Sequence, residues 1–111
     1  MKTVKTHTAT IFCGLRAGYD GPEFDIGEVV SFCKEHCTEV GLCVTVTPTT
    51  FAYSNGSEQG AIIGLINYPR FPDAAEHINE KAMRLAERLR ILCGQNRVSV
   101  ICGDETHMLG D

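Results

Sequence analysis

Twice along this 111-residue chain, a stretch of alternating residues hands over to a stretch with helical spacing. That double handover limits the folds open to the chain more than any other feature. From Thr8 to Arg16, Ala9, Ile11, Cys13 and Leu15 point one way, and Thr8, Thr10, Phe12, Gly14 and Arg16 the other, which is a strand pattern. Ala17 to Phe24 is dense in turn formers. Asp25, with Glu28 three residues on, then predicts a capped helix start. Ile26, Val29, Val30, Cys33, Cys37 and Val40 share one face, and Gly41 supplies the stop. Leu42, Val44 and Val46 alternate with Cys43, Thr45 and Thr47. Pro48 puts this strand at an edge or a bulge, because it has no N–H for a ladder. The pattern resumes weakly through Phe51 and Tyr53, and Asn55-Gly56 signals a hairpin within a longer loop, Ser54 to Gln59. Ala61 to Tyr68 is apolar on both faces, as a central strand requires.

The second handover repeats the plan. Pro69 to Pro72 breaks the strand, and Asp73 with Glu76 predicts another capping box. Ala75, Ile78, Ala82, Leu85, Leu89 and Leu92 form a core stripe, Glu80 and Arg84 an i,i+4 pair outside it, and Gly94 the stop. Val98, Val100 and Cys102 form the inner face of a last strand, and the polar tail after Gly103 is expected to be loose. The order is β-α-β-β-α-β. The expected fold is α+β, ferredoxin-like βαββαβ, with a four-stranded antiparallel sheet and two helices on one face. Residues 1–111 make one domain, with an ordered core of about 8–102. The first and third strands are expected to lie side by side and parallel at the centre, with the second and fourth at the edges.

Net charge is −4 and the pI about 5.5, which argues against a nucleic-acid polymer as partner. The N-terminus has positive charge but no apolar h-region, and no run reaches the length of a membrane span, so a cytoplasmic protein with no membrane partner is expected. In that compartment the six cysteines are expected to be reduced.

If the central strands are parallel, the two βα loops meet at one end of the sheet. Arg16, Tyr19, Asn67, Tyr68 and Arg70 would then converge beside two helix N-termini and could hold a phosphate or carboxylate and stack on a planar ring. The alternative is that Arg16 and Arg70 pair with nearby acids such as Asp20 and Glu23. The face away from the helices carries Phe12, Thr45, Ile62, Ile66 and Ile101, a patch apolar enough to need covering, so a homo-oligomer is expected.

Cys33-Lys34-Glu35-His36-Cys37, followed by Cys43, has the look of a metal cluster. Cys33 and Cys37 nevertheless fall on the core stripe, and Cys13 and Cys102 on inward strand positions, which favours packing over ligation. His36 is one step off the stripe and reads as a boundary residue. No histidine stands obviously beside Cys43. With no Ser–His–Asp set, P-loop or dinucleotide fingerprint, no catalytic residue, metal or cofactor is assigned.

The strings Thr10-Ile11-Phe12-Cys13-Gly14-Leu15 and Cys93-Gly94-Gln95-Asn96-Arg97-Val98, with the spacing between them, resemble small uncharacterised bacterial and phage α+β proteins. No activity comes with that resemblance. By analogy it raises phage inhibitors of host defence that sequester nucleotide signals, acting in the host cytoplasm. The expected function is therefore a non-catalytic, oligomeric protein that captures a small anionic ligand, plausibly a nucleotide. Its rivals are a protein-binding inhibitor using the open sheet face and an enzyme of the dimeric α+β barrel kind.

Overall fold

A two-residue hairpin sets the direction of the whole sheet. In the computed structural model, which describes residues 1–18 and 20–111, β2 (Thr45–Tyr53) turns through Ser54 and Asn55 into β3 (Gly56–Ile66). The loop is much shorter than the Ser54–Gln59 connection expected. β1 (Thr8–Gly14) leads into α1 (Ile26–Val40), which crosses over to β2; β3 leads into α2 (Ala75–Leu92), which crosses over to β4 (Arg97–Cys102). β3 fills the slot between β1 and β2 and runs antiparallel to both.

The parallel centre expected for β1 and β3 is therefore corrected. Each crossover makes β1 parallel to β2 and β3 parallel to β4, and the tight hairpin reverses β3. A second correction concerns the tail. Gly103, at φ +64°, and Asp104 turn the chain into β5 (Glu105–Gly110), paired along its length with β4. The sheet is five-stranded and antiparallel, in the order β2-β3-β1-β4-β5, rather than four-stranded. Pro48 sits on edge strand β2 as expected, but β4 is interior.

Both helices contribute to one apolar cluster on one face of the sheet. Ile11 of β1, Ile63 of β3 and Val100 of β4 are fully buried there, beneath Val29 and Cys33 of α1 and Leu85 and Leu89 of α2. Each such side chain contributes roughly 1.5–3 kcal/mol by leaving water. Cys13 and Cys102 join them at inward positions, and Cys93 closes the core behind α2. His36 is not a boundary residue. It is wholly buried, three positions beyond Cys33 on the same helical face.

The helix ends also depart from expectation. Gly41, at φ +67°, ends α1 as a left-handed cap, but Asp25 makes no side-chain cap bond. The N-cap of α2 is Ala74, and Asp73 before it accepts from the Ala74 N–H (2.8 Å). Glu80 and Arg84 form no ion pair among the described residues; the bridge anchoring the first turns of α2 is Lys81–Asp73 at 3.0 Å.

Candidate functional site

Antiparallel pairing of β1 with β3 separates the two βα loops. Gly14 lies opposite Gly60, and Ile66, at the far end of β3, lies opposite Thr8. The six-residue run between them, at ~3.4 Å per residue, puts the ends ~20 Å apart. Arg16 is at one end, and Asn67, Tyr68 and Arg70 are at the other, so the expected convergence does not occur. Tyr19 lies outside the described residues.

The polar commitments of these residues are local. Arg16 pairs with Glu23 at 3.1 Å, both side chains well exposed, a bridge worth ~0–1 kcal/mol. Arg70 lies over the ring of Phe71, 5.4 Å from its centroid. Asn67 uses both ends of its amide, donating to the Lys5 carbonyl (2.8 Å) and accepting from the Asp73 N–H (2.9 Å). Tyr68 is half-buried and hydrogen-bonded to Cys43, which raises its pKa.

The register places all five expected interface residues on the sheet face without helices. Phe12 faces Ile62, which faces Thr47; Thr10 lies between Ile101 and Gly64, and Gly64 faces Thr45. Ile66 continues the row and is 47% exposed.

At the Arg16 end this open face is hollowed. Gly14 and Gly60 pair across β1 and β3 with their Cβ positions toward the open side. A Cβ on Gly60 would run into the ring of Phe51, which lies over that glycine. A Cβ on Gly14 would stand 2.7 Å from Gln95 Oε1 and 3.3 Å from Glu58 Oε1. The two glycines thus let a ring, an amide and a carboxylate settle onto bare backbone. Gln95 is fixed there by donating Nε2 to the Arg16 carbonyl (2.7 Å) and the Cys93 carbonyl (3.0 Å), tying the first loop to the start of β4.

The basin encloses about 640 Å³. Phe12, Phe51 and Tyr53 give it three aromatic surfaces, and Glu58 and Arg97 give it one charge of each sign. Neither Glu58 nor Arg97 has a side-chain hydrogen bond or ion pair among the described residues. A half-buried carboxylate without a partner is an unspent binding group, with its acceptor oxygens uncommitted within the protein. Glu58 was invisible to the sequence reading because Ser54–Gln59 was read as loop, and without a register across that loop Phe51 and Gly60 could not be placed beside it. The Asn55-Gly56 turn signal, taken as a two-residue hairpin, would have put Glu58 in the ladder on the same face, opposite Tyr53; the observed turn through Ser54 and Asn55 pairs it with Phe51.

The thiols supply no evident nucleophile in the core. Cys13 is pushed well up by its hydrogen bond to Cys93 and by burial, and burial pushes Cys33 up to about 11. Cys43 is exposed and lies before β2, beside Cys37 and Tyr68. No three His, Cys, Asp or Glu side chains are grouped to hold a metal ion among the described residues. No helix among them is long and apolar enough to cross a membrane.

No family model and no curated protein matches the chain. Among solved structures it is similar to a phage SAM lyase in complex with S-methyl-5'-thioadenosine, with a TM-score of 0.73 and 19% identity, covering 96% of this chain and 90% of that one. It is similar also to a phage SAM lyase in the apo state, with a TM-score of 0.72 and 19% identity, covering 95% and 89%. At that identity the likeness shows a shared fold: two helices on a five-stranded antiparallel sheet.

Proposed function

We propose that this chain binds S-adenosylmethionine in the basin over Gly14 and Gly60 and cleaves it as a lyase in a phage-encoded setting, acting in the host cytoplasm. The observation that carries the reading is the unpaired Glu58 carboxylate set among three aromatic rings. A sulfonium is a soft cation, held by a carboxylate and by ring faces. Adenine is planar and stacks on aromatic side chains. The free Arg97 guanidinium suits the carboxylate of the amino-acid end. Release of S-methyl-5'-thioadenosine breaks the bond between sulfur and the aminocarboxypropyl chain. The substrate's own carboxylate oxygen displaces sulfur at the γ-carbon: the new C–O bond closes a five-membered lactone as the C–S bond breaks, the electron pair stays on sulfur, which becomes neutral, and no water is consumed. Among the described residues, Glu58 is the uncommitted carboxylate of the basin that can hold the sulfonium before this bond breaks.

Two parts of the sequence expectation change in this reading. The anionic ligand, plausibly a nucleotide, gives way to a nucleoside sulfonium whose recognised charge is positive at sulfur, and the protein turns the ligand over instead of storing it. The homo-oligomer is kept as a proposal, with a second copy covering Phe12, Thr45, Ile62, Ile66 and Ile101.

The test is incubation with methyl-labelled S-adenosylmethionine, followed by chromatography for labelled S-methyl-5'-thioadenosine. The wild type should release it, and Glu58→Gln should slow release by about 100-fold or more, as loss of a positioned charged group does. No product together with no calorimetric binding of S-adenosylmethionine refutes the reading, as does undiminished turnover in Glu58→Gln.

A further inference from the structure

A second cavity lies at the opposite end of the molecule, between the end of α1 and the start of α2. It encloses about 350 Å³, inside the range of small-molecule sites. Its base is apolar: Leu65 and Ile78 of the core, with Cys37 beside them. Leu42, Tyr68 and Phe71 form its walls. Two of the large apolar side chains that the fold leaves in water, Ile66 (47% exposed) and Phe71 (68% exposed), both border it.

The polar groups around the cavity are mostly spent. Both ends of the Asn67 amide are bonded. Asp73 accepts from the Ala74 N–H and from His77 on one oxygen, and from Lys81 on the other. That cluster holds the Asp73 carboxyl down to about 2, so it stays ionised and pins the Lys81 ammonium in the cavity wall. Lys81 makes one hydrogen bond, to Asp73, and an ammonium has three N–H donors, so two are left over. The unspent capacity is therefore donor capacity next to an apolar floor. A nucleobase, which needs acceptors as well as donors, is poorly served here.

We infer that this cavity is a second small-molecule site, for a planar apolar ligand carrying a carboxylate. The ring system would lie on Leu65 and Ile78 between Tyr68 and Phe71, and the carboxylate would accept from Lys81. The site shares no lining residue with the Gly14–Gly60 basin.

Two probes test it by NMR titration of the isotope-labelled chain: 2-naphthoate, and 2-naphthalenemethanol as its uncharged counterpart. Naphthoate should shift the amides of Leu42, Tyr68, Phe71 and Ile78 and bind about tenfold more tightly than the alcohol, the worth of one charge-assisted hydrogen bond. Lys81→Met, which keeps the stem and drops the ammonium, should bring naphthoate down to the alcohol's affinity, and Lys81→Arg should restore it. Leu42→Trp, at the half-buried wall, should block both probes. Shifts that map to the open sheet face overturn the inference, as does naphthoate binding that ignores Lys81→Met in a folded variant. Displacement of naphthoate by S-methyl-5'-thioadenosine would also overturn it, because the two sites would then be one.

Discussion

His36 should make this fold sensitive to mild acid. The imidazole has no solvent exposure and sits between the helices. Its Nδ1 accepts a hydrogen bond from Arg88 at 2.7 Å, so its proton belongs on Nε2, which has no partner among the described residues. Burial is the main cause that lowers its pKa below the usual 6.5, and the Arg88 and Arg84 charges of α2 add to it against the opposing pull of Glu39 on α1. The unfolded chain takes up this proton near pH 6.5, and the folded chain resists it. More protons on the unfolded state mean that stability falls as pH falls. The stabilisation is complete above the unfolded value and is lost as pH drops through it toward the folded one. Each pH unit by which the folded value lies below the unfolded one is worth about 1.4 kcal/mol.

Urea unfolding followed by circular dichroism at pH 8, 6.5 and 5, under reducing conditions, measures this directly. His36→Asn keeps an acceptor for Arg88 and removes the titration. His77 works in the opposite direction, since its hydrogen bond to Asp73 raises its pKa; its contribution is present below 6.5 and is lost as pH rises. Both proteins carry His77, so it cancels in the comparison. Between pH 8 and 5 the wild type should lose more stability than the variant. Equal pH slopes for the two proteins refute the assignment of Nε2–H as a buried, unpaired donor.

The basin makes a further demand on its glycines. Gly60 has an ordinary extended backbone, so alanine there would add about 0.5–1 kcal/mol through the unfolded state if the space were free. The new methyl would instead displace the Phe51 ring and come 3.0 Å from the Cys13 carbonyl. Gly60→Ala should therefore cost about 1 kcal/mol net in urea unfolding and weaken calorimetric binding of S-methyl-5'-thioadenosine, and unchanged values for both would show that the ring does not rest on that strand. For the open face, sedimentation equilibrium of the wild type should give more than the one-chain mass, and Phe12→Asp should reduce it; a monomeric wild type at micromolar concentration sinks the oligomer.

How much of this was legible in the sequence follows from where burial writes a pattern. β1 and α2 were legible nearly to the residue, because one face of each is dry: Ala9, Ile11 and Cys13 are buried with the half-buried Thr10 and Phe12 between them, and Ile78, Ala82, Leu85 and Leu89 keep helical step. β5 was not, because all but Leu109 of its residues stay exposed on an edge strand and no alternation is enforced. Its one mark was Gly103-Asp104, a two-residue turn signal that a polar tail obscured. His36 was misplaced for the opposite reason. A polar residue was assigned to the boundary by its chemistry, when its step along α1 already put it on the buried face with Val29 and Cys33.

The site depended on one inference about direction. With β1 and β3 parallel, two helix N-termini and five loop residues would share one end, and a single anion site would follow. The two-residue hairpin between β2 and β3 excludes that arrangement, because it reverses β3 against a β2 that the α1 crossover has made parallel to β1. Each end of the sheet then receives one helix N-terminus and one helix C-terminus. The loop residues are divided with them: Arg16 goes to the basin at one end, and Asn67 and Tyr68 go to the cavity at the other. Neither end collects enough fixed positive charge for a polyanion. Each instead sets aromatic surface beside a few charges: Glu58, Arg97 and the Glu23-paired Arg16 in the basin, and Lys81 held by Asp73 in the cavity. Antiparallel pairing at the centre of the sheet is thus the reason the basin and the cavity lie at opposite ends with different linings instead of sharing one end.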